Sequence, residues 1–198
     1  MKIANSARLS YQMMTHDDAA LLFELDQDPQ VMRFINGGKP STLHEIETLM
    51  LPRLAAYTNR ETGWGLWKVS TLRATPQDNG DAYSSSDLHF IGWILVRPMD
   101  FFSDAPKFDD IELGWRFKQS SWGKGYGTEA AMAISDAIAK QASVNYLSAV
   151  ADEANTASIG IMKKLGMKYV KTDGYATPNG EVEVVYYQMS VIDNEKNS

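Results

Sequence analysis

Hydrophobic and polar positions along the chain follow two periods, and the change between them marks out the elements. The first apolar segment, Ala7 to Met13, has strand length and leads into Thr15-His16-Asp17-Asp18. There Thr15 is placed to cap a helix whose apolar positions are Ala19, Leu22, Phe23 and Leu25. Asp28-Pro29 has the form of an N-cap followed by proline at the first helical position, opening a short helix through Phe34 that Gly37-Gly38 ends. A third helix starts at Ser41 or Thr42. Thr42 and Glu45 have capping-box spacing, and Leu43, Ile46, Leu49, Met50 and Leu54 keep helical spacing, with Pro52 placed to kink or split it.

From Trp64 the pattern turns extended. Trp64 to Thr71 and Phe90 to Arg97 are rich in β-branched and aromatic residues and read as paired strands, with Trp64, Trp67 and Trp93 in the core. Arg73 to Asp87, with Pro76, Gly80 and Ser84-Ser85-Ser86, reads as the solvated loop between them, and Asp100 to Asp110 as a second loop. Ile111 to Phe117 is a strand running into a glycine cluster. A helix follows to about Gln141, with Ala131, Ile134 and Ile138 on one face, and then a buried strand, Tyr146 to Val150. Asn155 or Thr156 caps the next helix, which carries Ile161 and Leu165 and stops at Gly166. Strands at Lys168 to Thr172 and Val182 to Ser190 flank a loop with Pro178-Asn179-Gly180, and Asp193 to Ser198 is a polar, frayed tail. There are no internal repeats. The order predicts a single α/β (α+β) domain over residues 1–192.

Composition narrows the chemistry. With 198 residues, 44% of them hydrophobic, the chain is long enough for one buried core. No cysteine means no disulfides, thiolate zinc sites, iron–sulfur clusters or Cys nucleophiles. A formal charge of −6 argues against a protein built to neutralise nucleic-acid phosphates. No apolar run approaches the roughly 20 residues that span a bilayer, and the opening residues have no signal-peptide core, so a cytoplasmic protein without membrane or direct nucleic-acid partners is expected. His16, His44 and His89 are dispersed without metal-ligand spacing, so no metal is expected.

The informative segment is Trp122-Gly123-Lys124-Gly125-Tyr126-Gly127-Thr128-Glu129-Ala130, which joins a strand to a helix. Its free N–H groups converge on the positive end of a helix dipole, a place for phosphate, while a plain glycine-rich turn is the competing reading. The P-loop spacing is absent. The dinucleotide fingerprint also fails, because its third glycine position falls on Thr128.

What fits is x-x-x-Gly-x-Gly from Trp122 to Gly127, which resembles the pyrophosphate loop of the Gcn5-related N-acetyltransferase superfamily, with Trp122 where Gln or Arg is usual. The stretch Trp-Gly-Lys-Gly-Tyr-Gly-Thr-Glu-Ala, after Ile111-Glu112-Leu113-Gly114-Trp115-Arg116-Phe117, is similar to the branch holding the ribosomal-protein N-terminal acetyltransferases. Asn155, Ser158, Lys164, Gly166 and Met167 resemble that branch's second motif, about 28 residues beyond the glycine loop.

The resemblance implies a mixed central sheet of six to seven strands flanked by helices, with two central parallel strands, those of Ile111 and Tyr146, splayed apart. It implies acetyl-CoA as co-substrate, its pyrophosphate on the backbone amides of Gly123, Lys124, Gly125, Tyr126, Gly127 and Thr128, beside Trp122. Its pantetheine arm would pair with the backbone of Trp115, Arg116 and Phe117, with Asn155 and Ser158 as further contacts and Lys124 and Lys164 near the phosphates. The acceptor is a primary amine, either a protein N-terminus or a small molecule. Glu112 is the candidate base, directly or through water, and otherwise an ordinary strand residue. Ser158 is a candidate cofactor contact or donor to the leaving thiolate, and otherwise a helix-surface residue that merely packs; Met162 stands where many members carry a thiolate-protonating tyrosine, so that usual acid is absent. Ile35 to Pro40 is expected to line the acceptor site, and the last strands to offer a homodimer contact. A non-catalytic acyl-CoA-binding or sensing domain is the alternative, and a different nucleotide-binding fold a third possibility.

Overall fold

The computed structural model describes residues 1–72, 88–178 and 180–191. The expected Arg73–Asp87 loop, Asn179 and the tail Asp193–Ser198 lie outside the described residues.

Seven strands form one sheet in the order β1-β2-β3-β4-β5-β7-β6. They are β1 (Leu9–Met13), β2 (Gly65–Leu72), β3 (Leu88–Met99), β4 (Lys107–Phe117), β5 (Tyr146–Ala151), β6 (Lys168–Thr177) and β7 (Gly180–Ser190). Every neighbouring pair is antiparallel except β4 and β5, which run parallel. That parallel step requires a crossover, which α5 (Tyr126–Ala139) supplies.

Each face of the sheet carries its own core. Ile111, Leu113 and Phe117 of β4 pack with Ala130, Ala131, Ile134 and Ile138 of α5 and with Met162 of α6 (Thr156–Lys164). On the other face Leu66, Phe90 and Trp93 pack with Leu22 and Leu25 of α1 (Ala19–Asp26), Val31 of α2 (Pro29–Asn36), and Ile46, Leu51, Leu54 and Tyr57. Trp67 and Trp93 are core residues as expected, and Trp64 is partly buried against the core.

The local signals hold with specific changes. Thr15 caps a single 3-10 turn, His16–Asp18, that leads into α1, and Asp28 accepts from the Gln30 N–H at 2.9 Å. Thr42 and Glu45 form the capping box, with Glu45 N–H to Thr42 Oγ1 at 3.1 Å and Thr42 N–H to Glu45 Oε2 at 2.7 Å. The helix it opens is α3 (Leu43–Glu45), then a π turn (Ile46–Met50), then α4 (Leu51–Tyr57) with Pro52 in its first turn. Pro52 has no N–H to donate, and the widened turn before it absorbs the misfit.

Several strands run longer than their apolar pattern: β3 is extended at both ends, β6 reaches Thr177, β5 reaches Ala151, β7 begins at Gly180, and β4 begins at Lys107. The expected loop to Asp110 is therefore corrected, and Asp109 and Asp110 are strand residues. Asp110 is buried because Ser148 Oγ and Gln188 Nε2 donate to its carboxylate at 2.7 and 2.9 Å. Burial still pushes its carboxyl above the usual range. Charged residues with partners in β5 and β7 are invisible to a search for apolar runs.

Candidate active site

The β4–β5 pairing stops early. Asp110↔Tyr146, Ile111↔Leu147 and Glu112↔Ser148 are in register, and beyond them the strands part. The Asp110–Ser148–Gln188 network closes the paired end. The Lys118 N–H bonds the Ile91 carbonyl of β3, and the Asn145 N–H bonds the Asp109 carbonyl. Because successive strand residues face opposite sides, the odd-numbered residues of β4 turn their backbone toward β5. Past Glu112 these are Leu113, Trp115 and Phe117, whose N–H and C=O groups open into the gap, while Arg116 turns its backbone to Trp93. The Phe117 carbonyl is taken by Trp122 Nε1 at 2.9 Å, so Trp122 ties the glycine loop to the end of β4.

That loop turns on Gly123 and Gly125, at φ of 73° and 79°, conformations that a side chain disfavours. A Cβ on Gly123 would meet nothing within 4 Å, so glycine is needed there for the turn rather than for room. Gly125 is the cap of α5 and offers no side-chain acceptor, which leaves the first N–H groups of the helix directed outward. Glu129, in this first turn, would oppose an anion were it not claimed by the N-terminal segment. Arg8 Nε donates to its Oε2 at 2.7 Å, and Ser6 Oγ and the Arg8 N–H reach Oε1 at 2.6 and 2.9 Å. Partial burial raises the Glu129 carboxyl, but these bonds outweigh it and hold it below its usual range. Arg8 Nη1 also bonds the Lys124 carbonyl at 3.0 Å, fixing the loop from outside.

Between the loop, the β4 end, α6 and α2 lies a groove of about 400 Å³. It brings together Trp115, Arg116, Phe117, Trp122, Gly123, Gly125, Tyr126, Gly127, Thr128, Asn155, Ser158 and Lys164; Lys124 and Glu112 are outside its lining. Its far wall, Gln30, Val31, Arg33, Phe34 and Ile35 of α2, includes none of residues 36–40. Asn155 caps α6 by accepting the Ser158 N–H at 3.1 Å, and Ser158 Oγ accepts the Trp115 Nε1–H at 2.7 Å, keeping its own hydrogen to donate. The guanidinium of Arg116 is held by Asp26 on the α1 side of the sheet. Met162 is fully buried.

Glu112 is 4% exposed, on the opposite face of the sheet from α5. Arg97 Nε donates to its Oε2 at 2.8 Å and the Tyr175 hydroxyl to its Oε1 at 2.6 Å, while Arg97 Nη2 donates to the Tyr175 oxygen. Burial, and next the Glu112 charge, hold the Tyr175 phenol well above its ordinary range. Desolvation disfavours the Arg97 charge, but Glu112 overrides it and raises that group. Tyr57 of α4, pushed to about 12 by burial, lies beneath the Arg97 guanidinium. Arg97, Tyr175 and Arg8 were missed in the sequence because their partners lie 15 to 121 residues away.

Among the described residues no group of three or more His, Cys, Asp or Glu side chains could hold a metal ion, and no helix is long and apolar enough to cross a membrane.

A mixed sheet split between two parallel strands, with a glycine-turned helix start at its open end, defines an acetyltransferase class of fold. The chain belongs to the GNAT family: the family model described as acetyltransferase (GNAT) domain matches residues 8–168. The chain is 24% identical over 183 residues, 90% of its length and 71% of the relative's, to FsC-acetyl coenzyme A-N(2)-transacetylase of Aspergillus fumigatus. It is 29% identical over 167 residues to YkkB, an uncharacterised protein of Bacillus subtilis, covering 83% of this chain and 84% of that one. Among solved structures, a GNAT acetyltransferase from Bacillus anthracis superposes with a TM-score of 0.70 at 21% identity, covering 97% of this chain and 99% of the other. Aminoglycoside acetyltransferase AAC(6')-Ib in complex with coenzyme A superposes at 0.68 and 18%, covering 96% and 98%.

Proposed function

We propose that this protein is an N-acetyltransferase that moves the acetyl group of acetyl-CoA to a primary amine. The observation that carries the reading is the end of β4–β5 pairing at Glu112↔Ser148, which leaves open strand backbone running from a carboxylate to the glycine-turned start of α5. The groove suits an elongated ligand with phosphates at one end. N–H groups from Gly123 to Thr128 take the pyrophosphate, with Lys164 beside it, and the open N–H and C=O groups of Trp115 pair with the amides of the pantetheine arm. The Asn155 carboxamide and the Ser158 hydroxyl face the same groove. When bound, acetyl-CoA supplies an activated acyl group with a thiolate as leaving group. Leu113 and Trp115 offer N–H groups where negative charge develops on oxygen, Glu112 receives the amine's proton, and Ser158 Oγ–H donates toward the departing sulfur. The coenzyme A named for the A. fumigatus relative and for the aminoglycoside acetyltransferase supports this ligand.

A binding-only domain is favoured by one observation: buried Met162 brings no acid to the position where many family members carry tyrosine. Ser158, polarised by the Trp115 indole, supplies a donor within the transferase reading.

Titration calorimetry with acetyl-CoA, ATP and NAD tests the ligand. Acetyl-CoA is expected to bind tightest, and a preference for ATP or NAD overturns the reading. Gly125→Val forces the loop out of its positive-φ turn and swings an N–H away from the groove. Losing one hydrogen bond to a charged group costs about 1.5–3 kcal/mol, so acetyl-CoA affinity is expected to fall roughly 10- to 150-fold. An unchanged Kd would remove the loop from the site.

A further inference from the structure

We propose that Glu112 takes the acceptor's proton through the hydroxyl of Tyr175, with Arg97 as the positioning residue that holds both. The inference rests on the transferase reading above and names the residue that meets the amine.

Glu112 is almost fully buried, and each of its oxygens is already engaged, Oε2 by Arg97 Nε and Oε1 by the Tyr175 hydroxyl. An amine arriving at the mouth of the split cannot reach the carboxylate directly. Tyr175, on β6, is partly buried whereas Glu112 is 4% exposed, so of this hydrogen-bonded pair the tyrosine is the residue nearer to solvent. A phenol oxygen has one hydrogen and two acceptor sites. Here the hydrogen goes to Glu112 and one acceptor site takes Arg97 Nη2, leaving the other for the amine. Among the described residues, the charged and titratable groups around this cluster are Arg53 and Tyr57 from α4, Arg97 from β3, Glu112 from β4 and Tyr186 from β7. Desolvation and Glu112 together keep Tyr175 protonated, the state a relay needs at rest.

The step balances. The amine nitrogen's lone pair forms the N–C bond to the acyl carbon, and the C–S bond breaks with its electron pair leaving on sulfur. As nitrogen becomes positive its proton passes to Tyr175 Oη, while the Tyr175 hydrogen passes to Glu112 Oε1. Tyr175 ends as it began, and Glu112 holds the proton until solvent takes it.

The test uses Tyr175→Phe, Glu112→Gln and the double variant. The acceptor is whichever of a tripeptide with a free α-amine, spermidine and kanamycin the wild type acetylates fastest. Tyr175→Phe is expected to lower kcat about 100-fold while leaving the calorimetric Kd for acetyl-CoA within about twofold, which also shows that the fold is intact. Its deficit should shrink as pH rises from about 7 to 9.5 and on adding imidazole, because hydroxide or a small base then takes the proton. The double variant should be no slower than Glu112→Gln, since both residues serve one path.

A readout without substrate comes from carbon-13 NMR of Cζ-labelled tyrosine. The signal absent from Tyr175→Phe should resist ionisation well above the ordinary tyrosine range near 10, and should ionise at lower pH in Glu112→Gln. Full activity in Tyr175→Phe, a deficit equal at every pH, additive losses in the double variant, or a signal that titrates like free tyrosine overturns the relay alone. A wild type that acetylates none of the three amines overturns the transferase reading and the relay with it.

Discussion

Glu112→Gln is expected to lower kcat by about 10²- to 10⁴-fold, the range for losing a positioned general base, with the acetyl-CoA Kd little changed. Glutamine matches glutamate in shape but cannot accept a proton at neutral pH. The side chain lies at the last paired position of β4 and β5, outside the groove lining that contains the glycine loop, so the loss falls on turnover rather than on cofactor affinity. The carboxylate is also the anionic partner of Arg97, whose side chain is 14% exposed. Some stability is therefore lost, and the kinetics are compared at a temperature where calorimetry shows both proteins folded. What activity remains should track the fraction of acceptor already present as free amine. Steady-state release of free CoA checks this, and unchanged kcat would reduce Glu112 to a structural ion-pair partner.

Asp26→Ala should destabilise the protein by about 3–5 kcal/mol, the cost of stranding one member of a buried pair. The Asp26 side chain is 1% exposed and Arg116 10%, and their contact fixes α1 against β4. Asp26 also accepts from Ser41 Oγ at 2.7 Å, anchoring the segment that enters α3. Without the carboxylate, the Arg116 guanidinium is left over the Trp93 ring, 5.0 Å from its centre, and its Nε has no hydrogen-bond partner among the described residues. Chemical denaturation measures the loss. Replacing both residues by apolar ones, Asp26→Leu with Arg116→Met, should recover most of it, because no buried charge is then left alone. The recovered double variant should still bind acetyl-CoA, since Arg116 is committed to Asp26 and turns its backbone to β3. Loss of binding on a stable fold would instead assign Arg116 to the ligand.

What was legible in the sequence is what short-range chemistry encodes. The capping pair Thr42 and Glu45, the Asp28-Pro29 helix start and the glycine turns at 123 and 125 act within a few residues, and each appears where its signal stands. The segment from β4 through α6 was readable for the same reason. The splay of β4 from β5 was different: no residue marks it, and it was expected only because the two motifs resemble a family that has it. Contacts that depend on tertiary placement left no trace. Arg97 and Tyr175 reach Glu112 across 15 and 63 residues, Arg8 meets Glu129 across 121, and Asp110 read as a loop residue because its hydrogen bonds come from Ser148 and Gln188. The wall formed by α2 was hidden because its amphipathic face explains its core packing without reference to the groove.

The transfer itself is the central claim, and mass spectrometry of the products tests it most directly. The protein is incubated with acetyl-CoA and each of the three amines, and acetylated amine and free CoA are quantified against controls lacking protein or amine. The split-sheet site predicts acetylated amine and free CoA in equal amounts, both dependent on protein and amine together. Acetyl-CoA that binds but releases no more CoA with amine than without, and yields no acetylated product, would contradict the account.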